Sequence, residues 1–452
     1  MKYAFVLGRV HTLSIAELVS VLEKADVSLN LPGEQIKILD SSEEILIIET
    51  KASFNAEKLQ KKLGGVIKIL EVVDEITKRP RDSINFALKH YFKPSVLKKK
   101  FFKEYKGKTQ FGVSVYLLDM RLAQKPIFSN FDKSRGTAKR TSEAPPTAFG
   151  EPRRIGMTIK TVLTDGGASV RLVLPEFNSL SLASVVVTKN LLLQKGAEIC
   201  ILAGEEKIYT AKTLVVQDFE DYGRRDYQRP VRDEKQGMIP PKVAQVMLNF
   251  AGCSSNETVF DPFCGIGTII QEGLLLGFKM LGSDINTAAI RGSEQNLEWF
   301  RNRYHVAPGK YHFETSDARK VAPLMQSQKI SAIVTEGTLG PIYFKYPSTK
   351  EIKQNFEDLE NLYKECFVEF AKILPQNGKI VICLPAYKKG RDSYEPMPSL
   401  DWTKDLGYNL LDIISVEVAK KMKFLKLTSR KTAIYDRKDQ VVAREICIFE
   451  KN

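Results

Sequence analysis

Two closely spaced glycines, Gly265 and Gly267, follow a short apolar stretch in the segment TVFDPFCGIGTII. The β-branched and apolar residues before them are typical of the end of a buried strand. The glycines then let the backbone turn tightly beneath a ligand before a helix begins at Thr268. A helical pattern leads on to a second strand, MLGSD, which ends in Asp284. In an open parallel sheet, a carboxylate at that tip accepts hydrogen bonds from ribose hydroxyls. The spacing therefore predicts a cradle for a ligand that contains ribose.

A nicotinamide dinucleotide is the first alternative for this ligand. NAD-binding loops usually read G-x-G-x-x-G. In this chain Thr268 and then apolar residues follow the second glycine, and no third glycine stands at the matching spacing. The loop therefore favours a different ribose-containing cofactor.

The chain has 452 residues, of which 43% are hydrophobic, so we expect two or three globular domains with a core in each. No apolar run reaches the length of a membrane span, and the start of the chain carries Lys2 and Arg9 without a small-residue cleavage site behind it. We therefore expect neither a membrane contact nor a signal peptide, and a cytoplasmic location. The six cysteines lack C-x-x-C spacing and cysteine–histidine pairing, which indicates reduced core residues and no metal site.

Positive charge is concentrated in one part of the sequence. The net charge is +14, and the stretch from Arg79 to Lys160 holds nineteen Lys and Arg against six Asp and Glu, a local charge of +13. Aromatic residues are interleaved with the lysines in YFKPSVLKKKFFKEYKGK, a pattern typical of nucleic-acid binding, whereas a solvated basic face is the alternative. The candidate RNA-contacting residues are Lys98, Lys99, Lys100, Lys103, Lys106, Lys108 and Arg171.

The hydrophobic pattern divides the chain into four regions. Residues 1–78 alternate strand and helix patterns and are expected to form a small α+β domain with a structural role. Residues 79–215 form a second α+β region, in which the polar, Pro- and Gly-rich segment 129–154 is expected to be a mobile loop. Residues 216–240 are expected to be a linker, and residues 241–452 an α/β catalytic domain that begins with a helix at the proline pair.

Three sequence motifs resemble those of known enzymes. The segment DPFCGIGT resembles the D-P-F-C-G-S-G-T motif of the Rossmann-like S-adenosylmethionine-dependent methyltransferases that modify amino groups of nucleic-acid bases, with Ile266 in place of the usual serine. RDYQRPVRDEKQGMIPPKVAQVMLN, which starts at Arg225, is similar to the segment that precedes the catalytic domain of the THUMP-containing tRNA guanosine-N2 methyltransferases. FGVSVY, GGASVRLVLP and SLASVVVTKNLLL resemble the THUMP region, which docks the acceptor end of tRNA.

The resemblance implies an α/β fold in which a C-terminal Rossmann-like methyltransferase sheet is preceded by an α+β, THUMP-like RNA-binding region. It also implies methyl transfer to the exocyclic N2 amine of a guanosine in tRNA, with S-adenosyl-L-methionine as the cofactor and tRNA as the partner. Whether a partner protein subunit is needed stays open. The implied cofactor-binding residues are Asp261, Phe263, Gly265, Gly267, Thr268, Asp284, Ile285, Asp317 and Ala318.

The family's D-P-P-Y motif, which follows the fourth strand and receives the target amine, corresponds to TEGTLGP in this chain. By this resemblance Glu336 takes the place of the catalytic acid, Gly337 and Thr338 replace the prolines, and Leu339 replaces the aromatic residue. We expect the loss of the prolines to loosen the loop, and the loss of a base–aromatic stack to cost about 1–3 kcal/mol. A helix cap or a solvated loop acid is the alternative role for Glu336. Tyr343, Phe344 or Tyr346, which follow this segment in the chain, could supply the missing stacking ring.

Two other functions remain open from the sequence. A non-catalytic RNA-binding protein could keep the cofactor fold while the TEGTLGP loop no longer supports transfer. An enzyme of the same fold could instead methylate a protein side chain or a DNA adenine, although DNA enzymes need no THUMP-like region. Basic residues after the fifth and sixth strands, at 388–391 and 420–431, are candidates for phosphate contacts because they follow strand ends.

Overall fold

The computed structural model of the protein describes residues 1–33, 35–79, 82–102, 108–119, 151–232, 238–437 and 440–452. These residues divide into two compact units. Unit 1 comprises Met1–His11, Ala25–Lys61 and Val66–Phe219, and unit 2 comprises Thr12–Lys24, Lys62–Gly65 and Glu220–Asn452.

The first half of the chain contains helices, the strands of one eight-stranded sheet, and a separate pair of two-residue strands. Its helices are α1 (His11–Leu22), α2 (Ala56–Lys62), α3 (Ile84–Leu88), α4 (Pro94–Lys100), α5 (Glu151–Asp165), α6 (Ser184–Lys189) and α7 (Leu192–Lys195). Its strands are β1 (Lys2–Leu7), β2 (Ala25–Asp26), β3 (Leu31–Pro32), β4 (Lys37–Ser41), β5 (Ile45–Glu49), β6 (Val66–Thr77), β7 (Thr109–Leu117), β8 (Val170–Val173), β9 (Gly196–Ala203) and β10 (Lys207–Val216).

Unit 1 is built on a mixed eight-stranded sheet with the order β4-β5-β1-β6-β10-β9-β7-β8. Strand β7 pairs in parallel with β8 and β9, and the other neighbours are antiparallel. Alternate residues of β7, among them Phe111 and Val113, enter the same core cluster as Ile155 and Ile159, which are one turn apart on α5. Residues two apart on the strand and one turn apart on the helix thus pack in one hydrophobic core.

This sheet crosses the boundary that we expected at residue 78. Strand β6 pairs with β1 on one side and with β10 on the other, so residues 1–78 share their sheet with the region that follows. A buried ion pair also joins the two regions: Lys68 Nζ of β6 lies 2.6 Å from Glu198 Oε1 of β9. Local periodicity reveals each strand but not a partner that lies more than a hundred residues away.

The second half of the chain alternates strand and helix up to β15. Its helices are α8 (Phe219–Tyr227), α9 (Pro241–Ala251), α10 (Thr268–Leu275), α11 (Thr287–Tyr304), the 3-10 helix Ala318–Lys320, α12 (Ala322–Met325), α13 (Thr349–Ile373), α14 (Trp402–Asp405) and α15 (Val416–Lys421). Its strands are β11 (Thr258–Asp261), β12 (Lys279–Asp284), β13 (Tyr311–Thr315), β14 (Ile330–Thr335), β15 (Lys379–Gly390), β16 (Ser393–Pro396), β17 (Tyr408–Leu411), β18 (Ala433–Tyr435) and β19 (Val442–Lys451).

The sheet of unit 2 has the order β13-β12-β11-β14-β15-β19-β17, with β16 on β15 and β18 on β19. Strands β11 to β15 pair in parallel, and β19 adds an antiparallel strand between β15 and β17. The inner parallel strands β11, β14 and β15 carry nearly continuous buried runs, because both faces of such a sheet are covered. The expected fold class is confirmed: a Rossmann-like α/β sheet follows an N-terminal mixed-sheet region.

Three segments differ from the sequence-based expectations. The expected linker 216–240 contains helix α8, whose residue Arg225 is buried and lies 2.6 Å from the equally buried Glu272. The expected loop 129–154 falls outside the described residues up to 150, and residues 151–154 already belong to α5. Helix α13 begins seven residues before the expected start at Phe356, because Ser348 and Glu351 form a capping box.

The remaining global expectations can be compared with the described part of the chain. Five cysteines are buried and Cys253 is half-buried, and all six are free thiols. Within the described ranges no cluster of His, Cys, Asp and Glu could hold a metal ion. The helices in those ranges also include none that is both long enough and apolar enough to cross a membrane.

Candidate active site at the ends of β11 and β14

The candidate site lies where the order in which the chain adds strands to the sheet of unit 2 reverses. Strand β11 has parallel neighbours on both sides, β12 and β14, and the chain reaches β14 only after it has built β12 and β13. A crevice opens beyond the carboxyl ends of strands at such a topological switch point. Asp261 ends β11 and Glu336 follows β14, so these two carboxyl groups lie at this crevice.

The glycine loop, residues 262–267, lies against the tip of β12. Gly265 N–H donates to Asp284 Oδ2 at 3.0 Å, and Cys264 N–H donates to the Ser283 carbonyl at 2.9 Å. Gly265 has a φ of +50°, and a Cβ added there would meet no heavy atom within 4 Å. The outer side of Gly265 is therefore open, as a ligand cradle requires.

Helix α11 supports the loop from below through two buried polar side chains. Ser293 Oγ donates to the Gly265 carbonyl at 2.8 Å, and Asn296 Nδ2 donates to the Ile266 carbonyl at 3.0 Å. Asn296 also bonds both backbone groups of Val231. Ser293 and Asn296 were not among the residues that the sequence predicted for the site. The available signal was a pair of small polar residues, three positions apart, on the face of α11 that carries its apolar residues.

A buried arginine contacts the start of α10. Arg229 Nη1 donates to Thr268 Oγ1 at 2.6 Å, and burial lowers the pKa of Arg229 to about 10. The arginine belongs to the RDYQRP motif that the sequence analysis singled out. The motif thus places a cation at the N-terminus of the helix that follows the glycine loop.

Asp261 is buried between the two loops that follow β11 and β14. Its Oδ1 accepts from Phe263 N–H at 3.2 Å. Burial raises the pKa of Asp261 to about 7, the hydrogen bond from Thr335 opposes this rise, and the neighbouring carboxylates of Asp284 and Glu336 add to it. At neutral pH the Asp261 carboxyl group is therefore partly protonated.

Asp284 is the last residue of β12, as the sequence predicted, Ile285 follows it, and Asp317 comes two residues after β13. Each Asp284 oxygen accepts one backbone hydrogen bond, from Gly265 or Asn286, so each keeps a lone pair for a ribose hydroxyl. Ile285 is 67% exposed and Ala318 is buried. Both oxygens of Asp317 accept from Arg319, a hydrogen-bonded pair that holds the pKa of Asp317 below its usual range. A cofactor contact from Asp317 would therefore compete with Arg319.

Glu336 is neither a helix cap nor a solvated loop acid. Its Oε1 accepts from Arg444 Nε at 2.6 Å, and its Oε2 accepts from Ile239 N–H at 3.2 Å. The Arg444 side chain is only 1% exposed. Burial by itself would lower the pKa of Arg444, but the adjacent Glu336 carboxylate raises it above its usual range. Glu336 is thus the partly exposed partner of the buried Arg444 of strand β19.

The catalytic-loop segment, residues 336–340, is held by helix α13. Tyr363 OH donates to the Thr338 carbonyl at 2.5 Å, and Asn355 Nδ2 donates to the Leu339 carbonyl at 3.2 Å. Gly340 has a φ of +93°, and a Cβ there would lie 2.0 Å from Asn355 Oδ1. Side chains of α13 therefore hold the loop where the family has prolines, and its looseness stays a prediction.

The three rings considered as replacements for the missing aromatic residue differ in exposure. Tyr343 is half-buried and lies edge-on to Tyr387, with 5.9 Å between ring centroids. Phe344 is 93% exposed and Tyr346 is 48% exposed. Leu339 is half-buried and contributes no ring.

The candidate RNA-contacting residues all belong to the sequence of unit 1. Lys100 pairs with Asp74 at 2.6 Å, so its charge is partly neutralised within the protein. Lys103 and Lys106 lie outside the described residues. The exposed members of the set are Lys98, Lys99, Lys108 and Arg171.

Fold and site together define a Rossmann-like methyltransferase domain. Residues 229–404 match the family model described as RMKL-like, methyltransferase domain. About two fifths of the chain is similar in sequence to archaeal tRNA guanine-10 N2-dimethyltransferases.

Two of these relatives illustrate the distance. The tRNA (guanine(10)-N2)-dimethyltransferase of Methanothermobacter thermautotrophicus is 29% identical over 41% of this chain and 50% of the relative. The enzyme of the same name from Pyrococcus abyssi is 26% identical over 42% of this chain and 46% of the relative. The matched part of the chain thus spans about half the length of these curated relatives.

Solved structures support the fold. TrmN from Thermus thermophilus superposes with a TM-score of 0.52 at 14% identity, over 100% of both chains. A possible methylase from Clostridium difficile 630 superposes with a TM-score of 0.50 at 12% identity, over 100% of this chain and 98% of the other. At these identities the similarity is one of fold alone.

Proposed function

We propose that this protein transfers a methyl group from S-adenosyl-L-methionine to the exocyclic N2 amine of a guanosine in tRNA. The observation that carries the proposal is the placement of an open glycine cradle and a fixed carboxylate, Glu336, at one switch point of a methyltransferase sheet. A cytoplasmic location is part of the proposal because tRNA is its substrate. Whether a partner subunit is needed stays open.

The residues at the glycine loop fit the cofactor. Gly265 leaves space for it, Asp284 keeps a lone pair on each oxygen, and Ile285 offers an exposed apolar surface to the adenine. When bound, the cofactor supplies a methyl group on a positively charged sulfonium. Methyl transfer then depends mainly on how the protein positions the two reactants.

Glu336 fits the role of the group that orients the amine. A carboxylate has about four acceptor sites, and Arg444 and Ile239 occupy two of them, so two remain for amine hydrogens. Arg444 acts as a positioning residue, since its buried guanidinium determines where the carboxylate lies. The target guanosine would leave the base stack to reach this group.

Substrate binding is proposed for the THUMP-like region, residues 79–215. Its exposed lysines on α4 and the local charge of +13 around them favour an anionic partner. The relatives' names contain tRNA, which favours tRNA among the possible polyanions.

The proposal is tested by incubating the protein with labelled cofactor and bulk unmodified tRNA and then digesting the tRNA to nucleosides. We expect the label in N2-methylguanosine. Label in another nucleoside would overturn the assigned target atom. An absence of label, under conditions where the cofactor binds, would overturn the transfer itself.

One observation favours a second candidate, an RNA-binding protein without methyl transfer. Both oxygens of Glu336 already have partners in the protein, and Leu339 stands where the family has a stacking ring. If wild-type protein is inactive and a variant with Asp, Pro, Pro and Tyr at positions 336–339 is active, this second function is the correct one.

A further inference from the structure

An exposed aromatic segment follows the catalytic loop. Tyr343 is half-buried and Pro347 is buried, whereas the residues between them are exposed. We call these three residues, Phe344, Lys345 and Tyr346, the aromatic platform. Phe344 is 93% exposed, so its ring contributes almost no burial to the folded chain. Large exposed apolar side chains beside a polar site are typical of surfaces that a partner covers.

The residue that precedes the platform shares a side-chain network with the loop that carries Glu336. Tyr343, which precedes the platform, lies edge-on to the buried Tyr387. Asn355 donates to the Tyr387 hydroxyl at 2.6 Å and also to the Leu339 carbonyl. One network of side chains therefore positions the two neighbouring segments at the carboxyl edge of the sheet.

Positive charge accompanies the rings. Lys345 stands between them in the sequence, and Lys389 of β15 is exposed. Lys389 pairs with Glu395, with 2.9 Å between Nζ and Oε2, so its charge is partly neutralised within the protein and Lys345 is the cation that directly accompanies the rings. Rings interleaved with cations are the arrangement by which proteins hold single-stranded nucleic acid.

We propose that the aromatic platform stacks on an unpaired nucleotide that adjoins the target guanosine in the RNA substrate. The inference rests on the proposed function, and it assigns the platform to a flanking base rather than to the methylated one. A base that leaves its stack exposes the faces of its neighbours, and a protein ring can cover such a face. Stacking of this kind tolerates any base, because every base has a π-face.

The test compares the affinities of variants for an unmodified tRNA transcript. Phe344→Ala should weaken binding by about 5- to 150-fold, the range expected from the loss of one base–aromatic stack. Phe344→Trp should keep wild-type affinity, and its indole emission should be quenched when the tRNA is added. Leu275→Ala is the matched control: Leu275 is 38% exposed, but it ends α10 at the opposite edge of the sheet, and this variant should bind like wild type.

The outcomes separate this inference from the proposed function. If wild type methylates tRNA and Phe344→Ala binds and methylates it equally well, the platform is overturned and the function stands. If wild type methylates nothing but Phe344→Ala still loses tRNA affinity, the platform stands and the transfer is overturned. A Phe344→Ala variant that keeps its tRNA affinity but loses binding to another protein would overturn the inference, because the surface would then belong to a protein partner.

Discussion

Two loops of unit 2 each contain a pair of glycines, but the surroundings that require glycine differ between the loops. The loops after β11 and β14 each contain two glycines with positive φ, Gly265 and Gly267 in the first and Gly337 and Gly340 in the second. The outer side of Gly265 is open. Gly340, by contrast, is pressed against Asn355 of α13.

The difference assigns different tasks to the two loops. The first leaves a surface for a ligand, and its shape is held from below by Ser293 and Asn296. The second is held by the protein itself and has no such opening at Gly340. A glycine in a sequence therefore indicates a turn or a close approach, but the structure is needed to tell which group approaches.

The largest expected effect comes from breaking the anchor of the second loop. Glu336→Ala leaves the buried Arg444 without its carboxylate, so we expect a loss of about 3–5 kcal/mol in the free energy of unfolding. Urea denaturation measures this loss. The double variant Glu336→Ala/Arg444→Met should recover much of it, because no buried charge is then left unpaired. A single variant as stable as wild type would show that the pair does not anchor the loop.

A pH effect is expected from Asp261, which lies between the two loops. Its pKa in the folded protein is about 7, against 3.8 for an unperturbed carboxyl, so between about pH 4 and 7 the native state binds more protons than the unfolded state. The free energy of unfolding should therefore fall as pH rises through this window, by at most about 4 kcal/mol.

Asp261→Asn should flatten that slope. It should not abolish the slope, because burial also raises the pKa of Glu17 in unit 2 to about 7. Urea unfolding at several pH values provides the measurement. Equal slopes for wild type and Asp261→Asn would mean that Asp261 is ionised in the folded protein throughout this range.

The two glycine environments predict different costs for the same substitution. Gly340→Ala adds a Cβ that would overlap Asn355 in a backbone conformation unfavourable for alanine, and should destabilise unit 2 by about 2–4 kcal/mol. Gly265→Ala meets only the conformational cost of about 1–2 kcal/mol but should weaken cofactor binding. Thermal unfolding and cofactor titration distinguish the two. If Gly265→Ala binds the cofactor as wild type does, the opening above the first loop is not the cradle.

The smallest effect concerns the RNA-contacting lysines of unit 1. If Lys98 and Lys99 contact phosphates, changing both to Gln should reduce the slope of log affinity for tRNA against log salt by about 0.7–0.9 per contact. The control is Lys353→Gln on α13, an exposed lysine of unit 2 whose loss should leave the slope unchanged. An unaltered slope in the Lys98/Lys99 variant would assign those lysines to a solvated face.

The first loop could be predicted from the sequence, but the anchors of the second could not. The strand, the glycines, the start of α10 at Thr268 and the carboxylate at the tip of β12 are contiguous, and their order along the chain is a local pattern. Glu336 and Arg444 are 108 residues apart, and nothing in either segment indicates the other. Asn355 lies near the start of α13, in a stretch that the apolar pattern did not mark as helical.

The domain boundaries show the same limit at a larger scale. A polar, charged composition made residues 216–240 resemble a linker, although Arg225 is satisfied by a buried glutamate of α10. Likewise the sequence pattern indicates a domain end directly after β6, whereas β6 lies at the centre of the sheet of unit 1. Tertiary partners determine both outcomes, and propensity alone does not specify them.

The claim that the first loop binds the cofactor and the second orients the target amine has a direct test. It is the single-turnover rate of methyl transfer to tRNA at saturating cofactor. We expect Asp284→Ala to weaken cofactor binding by about 1.5–3 kcal/mol for each lost hydrogen bond while much of the saturated rate remains. Glu336→Gln, which keeps an acceptor oxygen and spares the fold the full loss of the side chain, should lower the saturated rate and leave cofactor affinity unchanged. A Glu336→Gln enzyme with the wild-type rate, or an Asp284→Ala enzyme with wild-type cofactor affinity, would contradict the account.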